Sequence, residues 1–551
     1  MGKKRVQREA CFEFTKRFSG TSVADYHYTT EKYGHVVRLK GACLVLIPPR
    51  LLWHEPFQTD ERQFQPDALY ITDPVVLHFI VVRNVNIFEE SVEFSGLFGI
   101  IHHGDGITCV TGSEHRKQRL LINPVFTAAF ISKLSPLFYK IAHEDKLTQE
   151  IGSTPSSNNG RVIGLLHYMS SAALELIARG GLGTSFNSFN EKNDFHEALQ
   201  TVLPMVGRIF FVLPYLELWR KMEPVWLGRW SASLVDYVPW PAARKLKWGV
   251  DVMHPICVNL FNEKKRILEE GGVAELEKTA SVRKDVATLL TNQAADEYDR
   301  MSDESVIANI SGVVLAGQDT TAGSLTRLMC MMAENPDLQA RLRKEILDAP
   351  AAKDGEGLNY RELNDLPILD GVRREPSLPP SLPASNSFPF LRTKEDTVVP
   401  LHFPIRDPST GAVTNELFIT KGTHIYVGLV AANRSKAIWG PDVHELIGKA
   451  VLEATKDSVK MPGIFSNTMT FLAGARACPG MKFAVLQIKL ILSVLLPQFS
   501  FELVPNKEIE WRLGILVVPY IKSFHLIQKP EQKLAEPRSI RHPVSCFLVL
   551  V

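Results

Sequence analysis

Ten residues near the C-terminal end constrain this chain more than any other stretch. Residues 471–480 read Phe-Leu-Ala-Gly-Ala-Arg-Ala-Cys-Pro-Gly, and an apolar run with helical character, 481–496, follows at once. Cys478 therefore stands at a helix N-terminus, where unpaired N–H groups and the helix dipole favour a thiolate. Gly474 and Gly480 let the backbone pass close to a flat ligand. Arg476 offers a forked donor to a carboxylate. Each residue also has a plain alternative, since a lone Cys ahead of a helix is usually an inert buried thiol.

A second stretch breaks the rules of an ordinary structural helix. Ser302 is a good N-cap, with Asp303 and Glu304 in the first turn, and Asn335-Pro336 is a stop. The span 302–334 predicts a helix on the order of 50 Å long. Its middle reads Gly312-Val-Val-Leu-Ala-Gly-Gln-Asp-Thr-Thr-Ala-Gly323. Interior glycine costs about 1 kcal/mol relative to alanine. A buried acid or hydroxyl is expensive without partners. A Thr can bond back to the carbonyl one turn earlier and bend the helix, which would open a groove holding a hydroxyl. The alternative is that Thr320 or Thr321 caps a second, separate helix.

Together these strings resemble the cytochrome P-450 family. Phe471, Gly474, Arg476, Cys478 and Gly480 match its haem-loop signature in register, and Ala484 matches the small residue in the helix beyond. Residues 316–321, Ala-Gly-Gln-Asp-Thr-Thr, are similar to its oxygen-binding motif. The resemblance covers roughly residues 30 to 525 and implies a mainly α fold with small β-sheets (α+β), one large helical domain plus a smaller β-rich lobe. It implies haem b as cofactor, with Cys478 as the iron ligand. It makes Thr320 the catalytic alcohol and Asp319 the proton relay, with Ala316 and Gly317 leaving room for substrate and dioxygen. His115 and Arg119, four apart and so on one helix face, and Arg392 in a strand, match positions that touch the haem propionates. For the His115 run the plain alternative is a solvated basic face. The region 202–226 matches the roof of the substrate pocket, or is ordinary core.

The implied activity is a monooxygenase of microsomal, fungal type that oxidises a hydrophobic small molecule with O2, as in specialised (for example terpenoid) metabolism. The implied electron donor is NADPH-cytochrome P-450 reductase, so NADPH acts only indirectly. The alternatives are a haem-thiolate isomerase or dehydratase, against which the intact 316–320 string argues, and a non-catalytic haem-binding protein.

Two family landmarks are broken. Glu375 is present, but Leu378 stands where the Glu-x-x-Arg pattern has Arg, and Pro376 would break the helix. The loop at 446–452 carries no Arg where a Pro-Glu-Arg-Phe-like motif belongs. The segments 42–66 and 376–390 look inserted. An imperfect gene model and genuine divergence both account for these stretches.

The domain reading is a polar extension at 1–30, the haem domain at 31–527 with the uncertain insertion 42–66, and a tail at 528–551. A net charge of +2 gives no reason to expect nucleic acid as a partner. Seven scattered cysteines form no C-x-x-C pair, so neither a disulfide framework nor a zinc site is indicated. No run reaches the ~18 apolar residues of a membrane span. The expectation is a peripheral protein at the cytoplasmic face of the endoplasmic reticulum, without a transmembrane anchor and with weak contact to the membrane surface.

Overall fold

The computed structural model describes residues 32–39, 68–144, 151, 161–189, 193–209, 235–279, 286–291, 300–350, 357–373, 391–406, 411–440, 460–465, 467–504, 509–513, 517–521 and 547–550. The segments 42–66, 376–390 and 446–452, with Glu375 and Leu378, lie outside these residues, as does most of 202–226.

Seven helices position the site: α1 Val92–His102, α2 Gly112–Ile122, α3 Leu165–Ile177, α4 Pro241–Thr279, α5 Asp303–Glu334, α6 Pro367–Arg373 and α7 Met481–Gln498. Helix α5 starts where its sequence says it should, because the Ser302 side chain accepts the Ser305 N–H. It ends at Asn335, whose side chain donates to the Met331 carbonyl. It is one continuous helix through Thr320 and Thr321, so neither residue caps a second helix. The bond back from Thr320 is present: its hydroxyl donates to the Ala316 carbonyl at 2.6 Å.

The apolar faces of α5 and α7 lie in one large core. Leu325, Leu328 and Met329 share it with Leu490, Leu492 and Leu495. Gly317 has a packing role here. A Cβ on it would come within 3.0 Å of Ile177 Cγ1 on α3, so the missing side chain lets α3 and α5 approach closely.

The smaller lobe is built on a five-stranded sheet: β1 Val36–Leu39, β2 Ala68–Ile71, β3 Phe88–Glu90, β4 Leu391–Thr393 and β5 His424–Val427. Its order is β1-β2-β5-β4-β3, with only the β2–β5 pair parallel. Asp73, fully buried after β2, is satisfied by four backbone N–H groups, from Val75, Val76, His402 and Phe403. It joins the sheet to the hairpin Thr397–Arg406/Val413–Ile419.

Helix α6, which ends just before Glu375, has anchors of its own. Glu345 accepts the N–H groups of Ile368 and Leu369, at 2.7 and 2.9 Å. Asp370 meets the buried ammonium of Lys489 on α7 at 2.8 Å. Asn364 accepts a second hydrogen bond from that ammonium.

Candidate haem-thiolate site

The loop before α7 is closed by the Cys478 N–H, which donates to the Phe471 carbonyl at 3.0 Å. Phe471 is buried and packs edge-on to Phe465, and Cys478, Met481 and Ala484 border the same cluster. Gly474 is required by backbone. Its φ is +64°, and a Cβ there would lie 1.9 Å from the Val81 carbonyl oxygen. The close approach at Gly474 is thus to the chain's own segment and not to a ligand. Gly480 is different, since a Cβ there would sit 4.0 Å from Cys478 Sγ.

The electrostatics of Cys478 correct a sequence-based expectation. Backbone N–H groups of Gly480 and Met481 and the nearby Arg119 all favour the thiolate, as the helix N-terminus predicts. Burial outweighs them and pushes the thiol up to about 11. A cation bound at the sulfur would offset that burial cost and favour the thiolate. Among the described residues no group of three or more His, Cys, Asp or Glu could hold a metal ion.

The surroundings fit the carboxylates of a haem. Arg119 donates to the Ala477 carbonyl at 2.8 Å. Arg476 donates to the carbonyls of Ile107 and Val110 and pairs with Glu90 of β3. Burial raises Glu90 to about 7, against the pull of Arg476. His115 is buried nearby; desolvation, then Arg476 and Arg119, lower it to about 4, which favours the neutral ring. Two half-buried guanidiniums beside one carboxyl leave an excess of positive charge, which suits propionate groups.

Not every expected residue joins this cluster. Arg392 is the register partner of Glu89 and His424, whereas Glu90 pairs with Leu391. Side chains alternate along a strand, so Arg392 projects from the opposite face of the sheet to Glu90 and its Arg476. It is exposed, beside Gly422.

On α5 the arrangement is coherent. At about 100° per residue, Gly312, Asp319, Ala316 and Thr320 fall within one arc of roughly 100°. Ala316 is exposed and the other three are half-buried, in the middle of a helix whose other faces are largely buried. Desolvation raises Asp319 to about 7. On the buried side, Gln318 donates to Ser170, and the Thr321 hydroxyl donates to Gln487 of α7 at 3.2 Å. This last bond ties the acid–alcohol stretch to the helix that begins beside Cys478.

Sequence reading missed several of these partners. Glu90 has no local signal, because its role comes from sheet pairing. The staple of Asn309 and Gln118 was missed too: Asn309 accepts the Ile107 N–H and donates to Gln118, which donates to the Asp105 carbonyl. A buried polar pair with no apolar alternative nearby was the only available cue.

The sequence profile of the family described as Cytochrome P450 matches residues 64–376 and 396–521. The interruption falls on the Ser/Pro-rich stretch after Glu375. Cytochrome P450 monooxygenase 212 of Postia placenta is 34% identical over 484 residues, covering 85% of each chain. The ganoderic acid synthetase of Ganoderma lucidum is 31% identical over 467 residues, covering 83% of each. A cytochrome P450 of Hericium erinaceus is 31% identical over 475 residues, covering 83% of this chain and 82% of its own. With a haem-thiolate loop, an acid–alcohol helix and matches along most of its length, this chain belongs to the cytochrome P450 family and is a monooxygenase.

Proposed function

We propose that this monooxygenase takes electrons from NADPH-cytochrome P-450 reductase and oxidises a hydrophobic small molecule of specialised metabolism, for example a terpenoid. The observation that carries the reading is the α5 arc, where Asp319, Ala316 and Thr320 share one face. When bound, haem supplies reductive activation of dioxygen and transfer of one oxygen atom. The chain's own residues do the rest. Cys478 would hold the iron through its sulfur, with the Gly480 and Met481 N–H groups supporting the thiolate. Arg119, His115 and Arg476 orient the carboxylates. Asp319, held near neutral pH in its titration, loads a proton, and the Thr320 hydroxyl turns from the Ala316 carbonyl to pass it on. The exposed methyl of Ala316 leaves the substrate space over the helix.

The intact 316–320 string argues against a haem-thiolate isomerase or dehydratase. The likeness to a ganoderic acid synthetase supports a role in specialised metabolism. We place the protein peripherally on the cytoplasmic face of the endoplasmic reticulum, where the exposed Tyr237, Val238 and Trp248 would meet lipid. Helix α7 is apolar and long enough to span a bilayer, but it is mostly buried in the core. The test is turnover with reductase, NADPH and a lipophilic library. Product formation that needs both NADPH and O2 is expected; conversion without either would overturn the reading.

A further inference from the structure

Helix α1 carries Phe94, Phe98 and His102 at i, i+4 and i+8, so the three share one face. The two Phe rings tilt against each other, and the Phe98 ring stacks on the His102 imidazole with centroids 5.8 Å apart. His102 is only 2% exposed. Its Nδ1 hydrogen-bonds to the Ser311 hydroxyl of α5 at 3.0 Å. Its other edge lies over Gly312, where a Cβ would sit 3.7 Å from Nε2.

The two contacts fix how the ring faces α5. Ser311 is on the buried side of the helix. Gly312 begins the arc that carries Ala316, Asp319 and Thr320. The ring thus has Nδ1 turned to the core and Nε2 turned to the substrate side. At ~1.5 Å rise per residue, Gly312 is about 6 Å along the axis from Ala316 and about 12 Å from Thr320.

We propose that His102, through Nε2, binds a hydroxyl group of the substrate, and so selects a lipophilic alcohol oxidised roughly 6–12 Å from its hydroxyl. This rests on the monooxygenase reading above and names its substrate class. The chemistry favours a hydroxyl over other oxygens. Desolvation, with a smaller contribution from His103, lowers His102 to about 4, so at neutral pH it offers no charge to a carboxylate. The Ser311 hydroxyl can either give a proton to Nδ1 or accept one, and it is also bonded to Cys257. Nε2 is then a donor in one tautomer and an acceptor in the other. A hydroxyl satisfies both; a carbonyl or ether satisfies one. In a buried ring, an unpaired nitrogen disfavours the ligand that lacks the group. The enzyme's substrate is accordingly the product of an earlier hydroxylation, hydration or carbonyl reduction.

The experiment is titration of the haem-loaded full chain with 1-dodecanol, 1-fluorododecane and dodecanoic acid at pH 7. The parent should bind the alcohol about three- to tenfold more tightly than the fluoride, with no such gain for the acid. His102→Phe should erase the preference, and His102→Gln should retain part of it. Gly312→Val, which covers Nε2 and leaves His102 in place, should erase it too and serves where the Phe variant does not fold. Equal affinities in the parent, a preference for the acid, or a preference kept by both His102→Phe and Gly312→Val would overturn the proposal. Alcohol selection without NADPH-dependent turnover would sink the monooxygenation reading and leave His102 as the selecting residue.

Discussion

Arg119 donates from Nη1 to the carbonyl oxygen of Ala477 at 2.8 Å, which ties helix α2 to the residue before the haem cysteine. The same guanidinium is the nearest charge acting to favour the Cys478 thiolate. Arg119→Leu should therefore loosen haem in two ways, by freeing the loop and by removing a cation beside sulfur. A charge-assisted hydrogen bond is worth about 1.5–3 kcal/mol, so haem should dissociate at least tenfold faster. Transfer of haem to an acceptor globin measures this, and an unchanged rate would remove Arg119 from the site.

Cys478→Ala tests the axial ligand. The reduced, CO-treated parent should show the red-shifted Soret band of thiolate ligation, and the variant should lose it. Persistence of the band in the variant would assign the thiolate to another cysteine. Among the described residues the other free cysteines are Cys109, Cys257 and Cys330, and none of them lies in the loop that leads into α7.

Asp319 and Thr320 make linked predictions. Thr320→Ala removes only a bond to a helical carbonyl, so folding and haem content should hold while NADPH use diverts to peroxide. Asp319 is raised to about 7 by burial, so its proton-loaded form declines as pH rises through neutrality. Coupling of NADPH use to product should fall from pH 6 to pH 8 in the parent and be flat in Asp319→Asn. A carboxyl raised on folding contributes stability that is full below its unfolded pKa and is lost as pH rises through the folded one. Asp319→Asn should therefore match the parent near pH 4 and exceed it at pH 8. Melting temperatures at the two pH values decide this.

Lys489 is 1% exposed and meets Asp370 of α6 at 2.8 Å. Asp370→Ala would leave a buried ammonium with a weaker partner, costing about 3–5 kcal/mol. Lys489→Met/Asp370→Leu together should recover most of that loss. Denaturant midpoints of the three variants give the answer, and additive losses in the double variant would show that the pair is not coupled.

The missing Glu-Arg-Arg network has a separate test. Glu375 stays in the sequence without either arginine, so the chain as written should load haem incompletely. Replacing 376–390 and 446–452 with family-like segments should raise the haem-to-protein ratio sharply, whereas Leu378→Arg alone should do little, because Pro376 remains. Full occupancy in the unaltered chain would mean that the anchors of α6, Glu345 and the Lys489–Asp370 pair, suffice. Sequencing the spliced transcript separates a gene-model error from divergence at the same stretches.

Local patterns carried much of this protein. The N-cap at Ser302, the stop at Pro336 and the helix after Gly480 were legible because each depends on a few adjacent residues, and the structure keeps all three. The family was legible too, through the strings 471–480 and 316–321, and the family match agrees with it. Tertiary structure decided the rest. Whether Cys478 is easy or hard to ionise depended on burial, which overrode the helix N-terminus. Which carboxylate Arg476 meets depended on the register of β3 against β4, and that same register turned Arg392 to the other face. Gly317 became a packing contact only when α3 came alongside α5. His102, plain in the sequence, gained a direction because Ser311, 209 residues away, holds one side of its ring. Spacing along the chain determines which groups share a helix face; desolvation and long-range pairing, which no local pattern encodes, determine what those groups can do.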